Sequence, residues 1–180
     1  VLLAAEVALF RCWQTLTDKM PEVMAGHSLG EYSALVLANV FSFADAVTLV
    51  VNRGRYMQAA VPQGMGAMAA IIGLNNEEIV AICRSSAEGQ QVEPANFNSI
   101  GQTVIAGDMA AVQRAVEEAK ASGAKLAKII PVSVPSHCQL MEPAAKELAR
   151  DLAVVKMNPP SIPVIQNVDV QMHSDPNEIR

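Results

Sequence analysis

An α/β fold is what this sequence predicts, and three observations predict it. A short apolar strand runs into a glycine-bounded turn and then into an Ala/Leu-rich helix. A middle stretch has the order β-α-β-β-α-β, the split unit of ferredoxin-like domains. The segments flanking it return to helix and strand, the alternation of an α/β body. The expected organisation is a discontinuous body, residues 1–64 and 134–180, with a subdomain of residues 65–133 inserted in it.

Each element has a local reason. Residues 1–16 read as an amphipathic helix with Leu2, Leu9, Trp13 and Leu16 on its apolar face, broken before Pro21. Val23-Met24-Ala25 reads as strand, residues 29–39 as helix, and about 45–61 as a further helix ended by Pro62. Inside the insert, Ala67–Gly73 is a buried strand and Glu77–Ser86 a helix. Gln91–Phe97 and Thr103–Ala106 are strands separated by Asn98-Ser99-Ile100-Gly101. Met109–Ala121 is a helix closed by Gly123, and Leu126–Val134 a strand. Met141–Leu152 reads as helix and Ile162–Val170 as strand.

Composition narrows the function classes. Half the 180 residues are hydrophobic (51%), which supports a packed core and excludes disorder as the main state. Thirteen basic against 18 acidic residues give a net charge of −5, and the basic ones are scattered, so nucleic acid is not an expected partner. Cys12, Cys83 and Cys138 are few and widely spaced, without C-x-x-C, which points away from a disulfide framework or zinc site and toward a reducing, cytoplasmic setting. Three histidines and no H-E-x-x-H leave no expected metal site. The longest uncharged stretch, Tyr56 to Asn76, contains Pro62, Gly64, Gly66 and Gly73 and is not an expected membrane span. No secretory signal is evident. The first residue is Val1 and the chain ends in the polar stretch Ser174–Arg180, so both ends are expected to be cut from something longer.

Three places carry chemistry. Gly26-His27-Ser28-Leu29-Gly30 is G-x-S-x-G, a nucleophile elbow. The tight strand-to-helix turn is expected to need both flanking glycines, and the Leu29 N–H, at the positive end of the helix, faces a developing oxyanion. The alternative is a plain turn with Ser28 as helix N-cap. The second place is the helix around Arg53. Ala46, Val50, Arg53, Met57 and Ala60 share one face that is apolar except for Arg53, whereas Arg55 falls on a polar stripe. A buried guanidinium needs an anion. A core carboxylate and a substrate carboxylate both answer that need. The third place is Ser136-His137-Cys138-Gln139, which reads as a capping box that sets His137 in a first helical turn, with Pro143 forcing a restart. If Ser28 has a base, a neutral His137 there is the best choice, and the alternative is a capped helix start with a half-exposed histidine. His27 faces away, His173 lies in a polar tail, Cys138 is too close in sequence to face His137, and Asp169 is the nearest guess for a third member.

Together GHSLGEYSALV, NRGRYMQ, GMGAMAAIIGL, NFNSIGQ and VPSHC resemble the malonyl-CoA:acyl-carrier-protein transacylases of type II fatty acid synthesis. The likeness runs over nearly the whole chain. Arg53 and His137 follow Ser28 by 25 and 109 residues, as that family's pattern expects. The resemblance implies an α/β-hydrolase-like body with a ferredoxin-like subdomain and a cleft between them. It implies Ser28 as nucleophile, His137 as base and Arg53 as the grip on the malonyl carboxylate. A downstream carbonyl, not an acid, would orient His137. Malonyl-CoA and acyl carrier protein are the implied partners. Coenzyme A thioester enters as substrate and no cofactor is expected. Asn96 and Asn98 would line the acyl or pantetheine path, although an Asn near a turn is commonly structural. The family's glutamine-bearing N-terminal segment and its histidine-orienting segment would lie outside residues 1–180.

Three rival readings differ at named residues. An acyltransferase domain of a polyketide synthase shares the elbow and the arginine but usually differs from Val134-Pro135-Ser136 before the histidine. A serine hydrolase or thioesterase has no use for Arg53. A non-catalytic module would lack Ser28 or His137.

Overall fold

A computed structural model describes residues 1–180 as a mixed α/β protein. Two compact units divide the chain: Val1–Arg53 with Leu148–Arg180, and Gly54–Glu147. No helix is long and apolar enough to cross a membrane.

In the first unit, α1 (Leu2–Leu16) leads to β1 (Met24–Ala25), α2 (Leu29–Leu37) and the start of α3 (Phe43–Ala60). β1 pairs in parallel with β6 (Val164–Ile165), Met24 opposite Val164 and Ala25 opposite Ile165. Its core joins Val7, Met24, Leu35, Leu49 and Val164. The face of α1 that packs there carries Leu3 and Val7. Leu2, Leu9 and Leu16 are instead 63%, 70% and 79% exposed, which reverses the face expected from the sequence. α1 is apolar around most of its circumference, so periodicity alone did not select the buried side.

The second unit runs β2 (Gly66–Ile72), α4 (Asn76–Ala87), β3 (Val92–Ser99), β4 (Gln102–Asp108), α5 (Met109–Ala121) and β5 (Leu126–Ile130). The four strands are all antiparallel neighbours in the order β3-β4-β2-β5. Strand alternation explains the unbroken apolar run of β2. Ala67, Ala69 and Ile71 pack on Ile79 of α4 and Val112 of α5, while Met68 points into a second cluster with Val104, Ala106 and Cys138. α4 starts at a full capping box: Glu78 N–H donates to Asn75 Oδ1 at 2.9 Å and Asn75 N–H to Glu78 Oε2 at 2.8 Å. β3 lies at the sheet edge, where Pro94 costs the ladder little.

Four sequence expectations are corrected. β3 and β4 extend to a two-residue turn, so Asn98 lies in a strand and not in the loop. β5 ends at Ile130, because Pro131 and Pro135 remove ladder donors from the stretch up to Val134. β6 keeps two of the nine residues expected of it, because the chain turns at once: Val170 N–H donates to Gln166 O and Gln166 N–H to Gln171 O. The capping box at Ser136 does not form. A 3₁₀ turn, Gln139–Met141, begins after Cys138, and the Gln139 N–H is taken by Glu93 of β3. α6 (Glu142–Val154) then restarts with Pro143 in its first turn, as the sequence implies. The helix α7 (Pro176–Ile179) closes the chain, capped by Asp175.

Candidate functional site

The turn between β1 and α2 is built by close approach. A Cβ on Gly26 would lie 2.0 Å from the Gly30 carbonyl carbon and 2.4 Å from the Glu31 nitrogen, so only glycine fits there. A Cβ on Gly30 meets nothing within 4 Å. One glycine of the pair is therefore a steric necessity, and the expectation that both are required is corrected.

Ser28 occupies the N-cap position of α2 with φ 54° and ψ −103°, a strained conformation for a side-chain-bearing residue. Its hydroxyl does not cap the helix. It accepts a hydrogen bond from Arg53 Nη2 at 2.9 Å instead. The turn is closed by Gly30 N–H on His27 O at 3.0 Å and Glu31 N–H on Ser28 O at 3.2 Å, bonds that do not engage the Leu29 N–H. Leu29 is the first residue of α2, where the helix leaves its amides unpaired and its dipole is positive. An oxyanion formed on Ser28 would meet that end.

Arg53 is half-buried on α3, while Arg55 is exposed, as their faces imply. Its guanidinium, hydrogen-bonded to a serine hydroxyl and not to a carboxylate, keeps further donors for an anion. Nearby, burial pushes the Tyr32 hydroxyl up from its ordinary pKa, with the Arg53 charge opposing that rise.

Two residues at the turn were missed by sequence reasoning. Asn167, which follows β6 at a separation of 139 residues from Ser28, accepts the Ser28 N–H on Oδ1 at 3.2 Å. Its Nδ2 donates to Gly26 O at 2.6 Å and also to Glu31 Oε2. Its backbone N–H donates to the same Glu31 oxygen at 2.9 Å. Glu31 carried a usable signal: Ser28-Leu29-Gly30-Glu31 has the S-x-x-E spacing of a capping box. Asn167 carried none, since nothing in a sequence marks a partner that distant.

His137 belongs to the second unit, as does Asn96. His137 is exposed, with φ 61°. Its neighbour Cys138 anchors the segment, buried beside Met68, Val104 and Ala106, with Sγ donating to Pro135 O at 3.1 Å. Burial pushes the Cys138 thiol up to about 11, so it is no thiolate nucleophile. Asn96 is half-buried on β3, opposite Val104, on the strand whose Glu93 also pins Gln139. Asp169, the guessed third member, pairs with His173 Nε2 at 2.6 Å, and His173 Nδ1 meets Glu178 at 3.3 Å. His173 is thus part of a small charged clasp near the chain end, beyond the plain polar tail that the sequence suggested.

A family model described as an acyl transferase domain matches residues 1–179. The chain belongs to the acyl transferase domain family. Within this acyl transferase family, the chain is 59% identical over 179 residues to the malonyl CoA-acyl carrier protein transacylase of Escherichia coli (strain K12), covering 99% of this chain and 58% of the relative. The malonyl CoA-acyl carrier protein transacylase structure from Coxiella burnetii superimposes with a TM-score of 0.97 at 60% identity, over 99% of this chain and 56% of that one. A structure of a malonyl-transacylase in complex with its type II PKS acyl-carrier protein gives a TM-score of 0.97 at 54% identity, over 99% of this chain and 58% of that one. The acyl transferase chain thus spans a little over half the length of the relatives it matches.

Proposed function

We propose that the protein to which this chain belongs transfers a malonyl group from malonyl-CoA to the phosphopantetheine thiol of acyl carrier protein, through a malonyl ester on Ser28, and so supplies fatty acid elongation. The observation that carries the reading is the 2.9 Å contact between Ser28 Oγ and the Arg53 guanidinium. It sets a permanent cation beside a serine whose hydroxyl does not cap the helix. A malonyl ester on that serine would hold its carboxylate within reach of the same guanidinium, which suits two parallel charge-assisted hydrogen bonds.

In this scheme His137 takes the Ser28 proton, and Ser28 Oγ attacks the thioester carbonyl. The Leu29 N–H stabilises the oxyanion, and coenzyme A leaves as a thiol carrying the proton. The carrier thiol then attacks the ester in the reverse sense. Asn96 lines the path of the acyl or pantetheine chain. Coenzyme A enters as part of the substrate, so the scheme needs no cofactor and no metal. The partners are malonyl-CoA and acyl carrier protein, the setting is cytoplasmic, and neither nucleic acid nor membrane takes part. The names of the relatives support this reading, and so does the carrier-protein complex of one of them.

The finer architecture belongs to the same proposal. Residues 1–64 and 134–180 form an α/β-hydrolase-like body, and residues 65–133 a ferredoxin-like subdomain. The strand order β3-β4-β2-β5 supports the second assignment.

The test is Arg53→Ala in the full-length protein, assayed with malonyl-CoA and acetyl-CoA. Losing a charge-assisted pair of hydrogen bonds worth about 1.5–3 kcal/mol lowers malonyl transfer by about 10- to 100-fold. Acetyl transfer, with no carboxylate to hold, is kept. Equal loss on both acyl groups would contradict the clamp.

A further inference from the structure

The S-x-x-E sequence of residues 28–31 is written for a capping box, yet the box is open. In the closed form, the Ser28 hydroxyl would take a helix N–H and the Glu31 carboxylate would take the Ser28 N–H. Here the hydroxyl caps nothing. The Glu31 carboxylate reaches Asn167 instead, and Asn167 Oδ1 takes the Ser28 N–H at 3.2 Å. The same amide donates to Gly26 O at 2.6 Å, so one side chain spans the turn from the residue before His27 to Ser28. The Nδ2 bond to Glu31 fixes which end of the amide faces which partner, because only the NH₂ end can donate to a carboxylate.

We propose that Asn167 is the positioning residue of the nucleophile turn. Its amide, oriented by Glu31, stands in for the missing half of the capping box and holds Ser28 at its strained φ and ψ through the backbone N–H. The proposal rests on the reading of Ser28 as nucleophile and needs no assumption about the acyl group.

The experiment is labelling of the full-length protein with a neutral alkyl fluorophosphonate, followed by intact mass. The Ser28 Oγ–P bond forms, the P–F bond breaks, and fluoride leaves with the serine proton. The quantity read is the rate constant per labelled site. A misaligned nucleophile labels every site slowly, whereas a merely destabilised fold labels fewer sites at the wild-type rate. Asn167→Ala is expected to lower the rate constant by about 10- to 100-fold, the scale of a small misplacement of a reacting group. Asn167→Asp sets two carboxylates against each other and is expected to be as slow. Adding Glu31→Gln to it restores a donor between the two side chains, though not the bond to Gly26 O, and recovers part of the rate. Wild-type rates per site in Asn167→Ala overturn the proposal, and so does an absence of rescue in the double variant. Malonyl-CoA is run in parallel on the wild type. Phosphonylation of Ser28 without malonylation sinks the transfer reading and leaves the positioning role standing, while no phosphonylation of Ser28 at all sinks both.

Discussion

Ser28 and His137 share nearly the same left-handed φ, 54° and 61°, but their turns are held by opposite means. Around Ser28 the bracing is polar and comes from far along the chain: Asn167 and Arg53 lie 139 and 25 residues away. Around His137 the bracing is largely apolar. Cys138 is buried beside the sheet residues Met68 and Val104, and its thiol donates to Pro135 three residues back. A polar brace fixes direction, because each N–H must point at an acceptor. An apolar anchor fixes the place of the segment, and the imidazole it carries is exposed. That division suits the roles proposed for them: a nucleophile that must point one way and a base that must take a proton and return it.

The largest way to break the polar turn is steric. Gly26→Ala drives a Cβ into the backbone at Gly30 and Glu31 and is expected to cost about 3 kcal/mol or more, read as a fall in the urea midpoint with loss of Ser28 labelling. Gly30→Ala sharpens the point. With open space for its Cβ it is expected to be neutral or stabilising by about 0.4–1 kcal/mol, with labelling kept.

The apolar turn should fail more gently. Cys138→Ala removes a buried thiol and its hydrogen bond to Pro135 and is expected to cost about 1–2 kcal/mol in urea unfolding. Thiol exposure gives a second readout at the same place. Burial pushes Cys83 up to about 12 and Cys138 up to about 11, so iodoacetamide at pH 8 should modify exposed Cys12 first and leave those two untouched in the folded protein.

The smallest effect lies at the His173 clasp. Hydrogen bonding to Asp169 raises the His173 pKa above its ordinary 6.5, and the same bond lowers that of Asp169 below 3.8. The raised histidine stabilises fully below pH 6.5 and loses that contribution as pH rises through its folded value. The lowered aspartate contributes above pH 3.8 and loses that contribution as pH falls through its folded value. The clasp is therefore strongest between these limits. His173→Gln should narrow the difference in urea midpoint between pH 5.5 and pH 8.5, by a small amount because the pair is solvent-screened.

What was legible in the sequence follows the same contrast. The second unit was readable because its signals are local: the unbroken apolar run of β2, the Asn98-Ser99-Ile100-Gly101 stretch at the turn from β3 to β4, and Gly123 after α5 each sit within a few residues of what they specify. The elbow was readable for the same reason. β6 was overread because apolar Ile162–Val170 carries no mark of the turn that Gln166 and Gln171 make. The buried face of α1 was misread because both of its faces are apolar. Asn167 was invisible because its meaning arises only when a distant strand end is brought against the β1–α2 turn. Ser28, Arg53 and His137 stood out from local pattern and took their expected roles from the resemblance, and the structure adds that Arg53 donates to the Ser28 hydroxyl while Asn167 takes its N–H.

The central claim is that Ser28 takes a malonyl group under the hand of Arg53. It is tested most directly by intact mass of the full-length protein after brief mixing with malonyl-CoA, beside acetyl-CoA and with Ser28→Ala as control. The account predicts a malonyl adduct that is absent in Ser28→Ala and weaker with acetyl-CoA. A protein that forms no adduct, or one that persists in Ser28→Ala, would contradict it.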